Sequence, residues 1–130
     1  MESKQFVRLL RQEEIAVAIR EIEKKTTGSF RIFVSRNKPR EAMRSAQRRF
    51  VKMEMDHLES RNGALLYIAP RSNKLAIVGD REIHAKCGDA FWLETVNGCS
   101  GFFHKQQYTE GVLFAIQRVG DALKKHFPKQ

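Results

Sequence analysis

Two short runs, Ala-Leu-Leu-Tyr-Ile-Ala at 64–69 and Lys-Leu-Ala-Ile-Val at 74–78, stand four residues apart and constrain the fold more than anything else in the chain. Both are rich in branched and aromatic apolar side chains, as strands are. The connection Pro-Arg-Ser-Asn suits a tight turn, so the two runs are expected to be antiparallel neighbours. Much of the rest has helical spacing. A strand pair must bury its apolar faces against those helices, which predicts a layered α/β sandwich.

Upstream, Ile15, Ile19 and Ile22 recur at helical spacing and Glu21 precedes Lys25 by four, predicting one helix over 4–26. Thr26-Thr27-Gly28 ends it, with Gly28 suited to a left-handed position after the last turn. Phe30 to Val34, FRIFV, reads as a strand. After the loop Asn37-Lys38-Pro39, a second helix is predicted over 40–59. Ala42, Ala46, Phe50, Met53 and His57 define its buried face, while Arg40, Arg44, Arg48 and Lys52, each four apart, form a separate basic stripe. Downstream, Gly79-Asp80 closes the strand at 74–78, and a helical turn is expected at 83–86. Asp89 then N-caps a helix anchored by Phe91 and Trp92. Thr109 N-caps the last helix, whose core face carries Val112, Ile116, Val119 and Leu123 before Phe127-Pro128 stops it.

A chain of 130 residues, 42% hydrophobic and with nine Phe, predicts one domain over 1–130 with a sizeable core. No stretch approaches the roughly 20 apolar residues that span a bilayer. The start, MESKQFVRLLRQEE, has no apolar leader segment, so a cytoplasmic location is expected. Cys87 and Cys99 are expected as two reduced, mostly buried thiols, and no Cys/His spacing suits zinc. The charge is unusual: 24 Lys and Arg against 15 Asp and Glu give +9. Between Arg31 and Lys52, the cations Arg31, Arg36, Lys38, Arg40, Arg44, Arg48, Arg49 and Lys52 face a single acid, Glu41. Such a block suggests a polyanionic partner, the alternative being a solvated helix face.

RNGALLYIA at 61–69, KLAIVGD at 74–80, Phe91-Trp92, Glu110-Gly111 and the closing G-x-x-L-x-x-x-FP at 120–128 together resemble the TPM domain family. IREIEKKTTGSFRIFV at 19–34 is similar to that family's first helix and strand, so the resemblance covers roughly 12–128. It implies a three-layer α/β/α sandwich around a small mixed sheet. Some members of the family are acid phosphatases, some bind divalent cations and some are accessory proteins; this chain looks most similar to its short soluble bacterial branch. Several family positions differ here: Ser29 replaces a Glu, Arg81-Glu82 follows Asp80 where a basic residue and then Gly are usual, and Leu93-Glu94 keeps one acid of two. Asn97-Gly98-Cys99-Ser100-Gly101 brings two glycines into a helical stretch, and a broken or shortened helix is expected there.

Asp80 follows a buried strand, where α/β folds place ligand loops. A hard cation such as Ca2+ or Mg2+ needs several oxygens, which Asp80, Glu82, Asp89 and Glu110 could supply; the alternative role for Asp80 is to cap the turn at Arg81. A metal-dependent phosphatase at the same place would use Arg81 and Arg36 against phosphoryl oxygens. No GxxxxGK[ST] occurs, so no nucleotide cofactor is expected. His84 and His104 show no orienting carboxylate in sequence, His57 falls on the apolar face of the second helix, and His126 sits at the end of the last. Cys99 reads as a core residue. Arg36, Arg40, Arg44, Arg48 and Lys52 form the candidate polyanion surface, open to an anionic protein, a membrane surface or nucleic acid. The lack of interleaved stacking aromatics argues against the last. The expected role is a binding or accessory module with an unidentified partner.

Overall fold

The computed structural model describes residues 1–130. In chain order its elements are α1 (Ser3–Leu9), α2 (Gln12–Glu23), β1 (Ser29–Val34), α3 (Ala42–Lys52), β2 (Gly63–Ala69), β3 (Lys74–Gly79), α4 (Arg81–Cys87), α5 (Asp89–His104) and α6 (Tyr108–His126). Single 3-10 turns at Met55–His57 and Pro70–Ser72 complete it. The strands form one mixed sheet in the order β1-β2-β3, with β1 parallel to β2 and β2 antiparallel to β3. The hairpin pairs Ala69 with Lys74 and Ala64 with Gly79, as its four-residue connection predicts.

Strand alternation sorts the side chains into two unequal cores. Phe30, Ala64, Leu66, Ile68 and Ile77 point into the larger one, where they meet Ile22 of α2, Trp92 and Cys99 of α5, and Ile116 and Leu123 of α6. On the opposite face, Leu65, Tyr67, Ala69 and Ala76 pack under Ala46, Phe50 and Met55. The result is a three-layer α/β/α sandwich. Helix α3 and the turn at Met55 cover the second face, with α3 over β2 and β3, so β1, an edge strand, keeps that side partly open. No helix is long and apolar enough to cross a membrane.

Several local expectations give way to packing. The helix expected over 4–26 is two helices. The chain is extended at Leu10, and the Arg11 N–H donates to Thr109 Oγ1 at 3.0 Å. The break lets Phe6 meet Tyr108 edge-on at 5.2 Å and Phe103 at 5.7 Å while α2 runs along α6. Thr109 is thus an acceptor for a neighbouring segment and not the N-cap of α6, a position held by Gln107. The second helix stops at Lys52 because Glu54 turns left-handed (φ 60°); the following turn buries Met55 and leaves His57 exposed. Gly28 is not left-handed. A Cβ there would lie 2.8 Å from the Asn62 carbonyl and 2.6 Å from Leu123 Cδ2, so the residue is needed for close approach. Asp89 is the first residue of α5 and Gly88 occupies its cap position.

The predicted interruption at 97–101 is absent: α5 runs unbroken through both glycines. A Cβ on Gly98 would clash with the Cε2–Cζ edge of the Phe114 ring of α6, so its absence lets two helices approach closely. That contact compensates a propensity cost of about 1 kcal/mol.

Both cysteines are free thiols. Cys99 is fully buried, and burial pushes its thiol up to about 12. Cys87 is half-buried; burial raises it as well, opposed by Arg118 and Lys125. In the native protein a disulfide-exchange reagent is expected to label Cys87 alone, with Cys99 reacting only after denaturant is added. Mass spectrometry of the labelled peptides checks this; two equally fast thiols would contradict the packing of α5.

Candidate functional site

Asp80 is 6% exposed, at the end of β3. Both carboxylate oxygens are taken by Arg61, whose Nε and Nη2 donate at 2.7 and 2.9 Å, and Oδ1 also accepts the Arg81 N–H at 2.8 Å. Asp80 therefore caps α4, one of the two roles its sequence allows. Backbone bonds continue the zipper, from Asp80 N–H to Gly63 O at 2.8 Å and from Glu82 N–H to Arg61 O at 3.1 Å. Burial alone would raise the Asp80 carboxyl, but the hydrogen bonds from Arg61 and Arg81 outweigh it and hold it below the usual carboxylate range.

Sequence reasoning missed Arg61, although the hairpin register carried the signal. Ala64 pairs with Gly79, so extending that ladder past Gly63 brings Arg61 level with 80–82.

The four acids expected around a divalent cation do not converge. Glu82 is exposed beside Arg81 at 3.5 Å, Asp89 bonds His84 at 2.9 Å, and Glu110 bonds Arg11 at 3.0 Å. Glu110 is held low by a bond from its own backbone and by Arg11. It lies in the first turn of α6, two residues after Tyr108, which lines a hollow with Ile68 and Ala69; Asp80 lies at the other end of the sheet, opposite Gly63. No group of three His, Cys, Asp or Glu stands close enough to hold a metal ion. The donor set does not fit Ca2+ or Mg2+. His84 does have a carboxylate neighbour in Asp89, and the exposed imidazole stacks on the buried Trp92 ring at 5.8 Å, between α4 and α5.

The antiparallel sense of β3 explains why Asp80 lies away from the place where ligand loops gather. Its C-terminus abuts the N-terminal ends of β1 and β2. Arg36 follows the C-terminal end of β1, roughly 17 Å away at about 3.3 Å per strand residue. Arg81 and Arg36 therefore cannot face one phosphoryl group.

At the Arg36 end two hollows adjoin, sharing Phe33, Ser35, Asn37 and Arg49. One, of about 630 Å³, extends to Ser3, Lys4, Val7 and Arg8 of α1; the other, of about 400 Å³, extends to Ser45, Arg48 and Lys52 of α3. Lys4, Arg8, Arg36, Arg48, Arg49 and Lys52 line this groove without a carboxylate, and none of the six forms an ion pair. Arg49 lies over the Phe33 ring at 4.0 Å, and Phe33 stacks near Tyr67 at 5.9 Å.

Of the expected basic stripe, Arg48 and Lys52 line the groove with Arg36, while Arg44 pairs with Glu41 at 3.8 Å and Arg40 precedes α3. Lys4 and Arg8 were not foreseen. They lie four apart on a helix whose placement against β1 has no local signature.

Residues 4–122 match the TPM domain. The fold is similar to the solution structure of BA42 protein from the psychrophilic bacterium Bizionia argentinensis, at 30% identity and a TM-score of 0.82, covering 91% of this chain and 81% of that one. The N-terminal domain of a protein from P. gingivalis is similar in fold alone, at 12% identity and a TM-score of 0.68, covering 88% of this chain and 74% of that one. Among curated proteins none matches. With the order of helices and strands, the mixed sheet and these likenesses in agreement, the chain belongs to the TPM domain family.

Proposed function

We propose that this protein is a binding module that holds an anionic partner in the groove between α1, the end of β1 and α3. One observation carries the reading: six cations share a groove with no acid, while most of the other arginines, Arg11, Arg20, Arg31, Arg44 and Arg61 among them, are paired. Clustered like charges repel, and a bound anion relieves that repulsion. The groove also lies past the C-terminal end of a strand in the parallel pair, where ligands of α/β folds gather. The residues expected of a metal-dependent phosphatase, by contrast, are divided between the two ends of the sheet.

The triple substitution Arg36→Gln, Arg48→Gln and Lys52→Gln removes three exposed groove cations. At roughly 0.5 kcal/mol for each exposed pairing, binding to heparin at low salt should weaken about tenfold. A control of equal charge, Lys24→Gln, Lys86→Gln and Lys105→Gln, should change it little. Calorimetry at two salt concentrations measures both. Equal loss in the two triples would mean that net charge alone is responsible and would dispose of the groove.

A further inference from the structure

From the backbone of β1 we infer that the partner is an extended acidic peptide segment, which adds to the sheet as a fourth strand; this inference rests on the anionic groove proposed above. Strand β1 is an edge strand, bonded to β2 on one side only. In a parallel strand, alternate residues direct both backbone groups to the same side. The Ser35 N–H bonds Ile68 O at 2.7 Å, which turns the odd-numbered residues toward β2 and Phe30, Ile32 and Val34 outward. At Phe30 both outward groups are already taken: Glu23 Oε2 accepts its N–H at 3.1 Å and Arg31 Nη1 donates to its carbonyl at 2.8 Å. Pairing of another chain is thereby blocked at that end. The outward N–H and C=O of Ile32 and Val34 have no partner, and Val34 opens directly into the cationic groove.

This half-edge offers donors and acceptors in strand alternation, which a peptide backbone matches in full. The sugar–phosphate backbone of DNA carries acceptor oxygens and no N–H donors, so it cannot meet the carbonyls in strand alternation. A nucleic acid would also need free aromatic faces, but Tyr67 is 3% exposed and Phe33 carries Arg49. A second copy of the chain would bring Lys4, Arg8 and Arg36 against the same cations, and like charges facing each other disfavour that pairing. Acidic side chains on an added strand would instead meet those cations beside the bonded backbone.

The probe is a capped octapeptide of alternating Glu and Val, with two further versions N-methylated at every Glu or at every Val. All three carry the same charge, but methylation removes the N–H groups facing one side of the strand. Strand addition predicts that one methylated version binds roughly tenfold or more weakly through lost hydrogen bonds, and the other within about twofold of the parent. It also predicts slower amide exchange at Ile32 and Val34 in the complex. If both methylated peptides bind like the parent, strand addition is wrong and the anionic groove stands. Tighter binding of a single-stranded DNA of equal charge, or a dimer formed through this edge, would overturn the peptide assignment. Failure of heparin, DNA and peptide alike would remove the groove reading itself.

Discussion

Replacing Asp80 with Ala is expected to lower the unfolding free energy at pH 7 by about 3 kcal/mol. Loss of a helix N-cap costs about 1 kcal/mol, and hydrogen bonds to a charged group contribute about 1.5–3 kcal/mol each, partly offset as the Arg61 guanidinium regains water. Asp80 is 6% exposed and accepts two bonds from Arg61 and one from Arg81, so its carboxylate is stabilised by these donors and not by solvent. The effect has a pH signature. The folded carboxyl titrates below its unfolded value of about 3.8. Its contribution is therefore complete above that value and is lost as pH falls through the folded one. Urea unfolding of the two proteins should show a gap that is widest above about pH 5 and narrows in stronger acid. A gap independent of pH would mean that Asp80 acts through packing alone. Arg61→Ala should also destabilise, because it leaves the buried carboxylate without its cation.

Phe30→Ala should cost about 4 kcal/mol, and Phe33→Ala much less. The two rings belong to one strand three residues apart and look equivalent in FRIFV. Phe30 is fully buried in the larger core among side chains of the helices, and its removal leaves a cavity that rigid neighbours cannot fill. Phe33 points to the opposite face, where α3 leaves β1 partly open and the ring is half-exposed. Urea midpoints for the two variants compare them directly. Equal losses would show that both faces of β1 are closed.

The hairpin, the three strands and the inward faces of α3 and α6 were legible because each depends on spacing within a dozen residues. Period two in ALLYIA and four-residue steps through Ala46 and Phe50 state which side chains share a face. The cap at Asp80 was legible for the same reason. Its Arg61 partner was recoverable in principle, since an antiparallel register continues beyond the strand ends. The broken first helix and the unbroken α5 were not. Leu10 and Arg11 leave the helix to suit Thr109, 98 residues from Arg11, and Gly98 is tolerated because of Phe114. Tertiary contacts of that kind override local propensity.

The same division applies to function. By itself the sequence determined an α/β sandwich of the TPM type and an excess of cations around its second helix. Only the tertiary structure decided which of those cations act together. It paired Arg44 with Glu41 and Arg61 with Asp80, divided the expected metal ligands among four different partners, and brought Lys4 and Arg8 against Arg36 and Arg49. Coulomb interactions depend on distance through space, and the groove sets Lys4 and Arg8 beside Arg36, about 30 residues further along the chain, so no local pattern could have recorded their part in it.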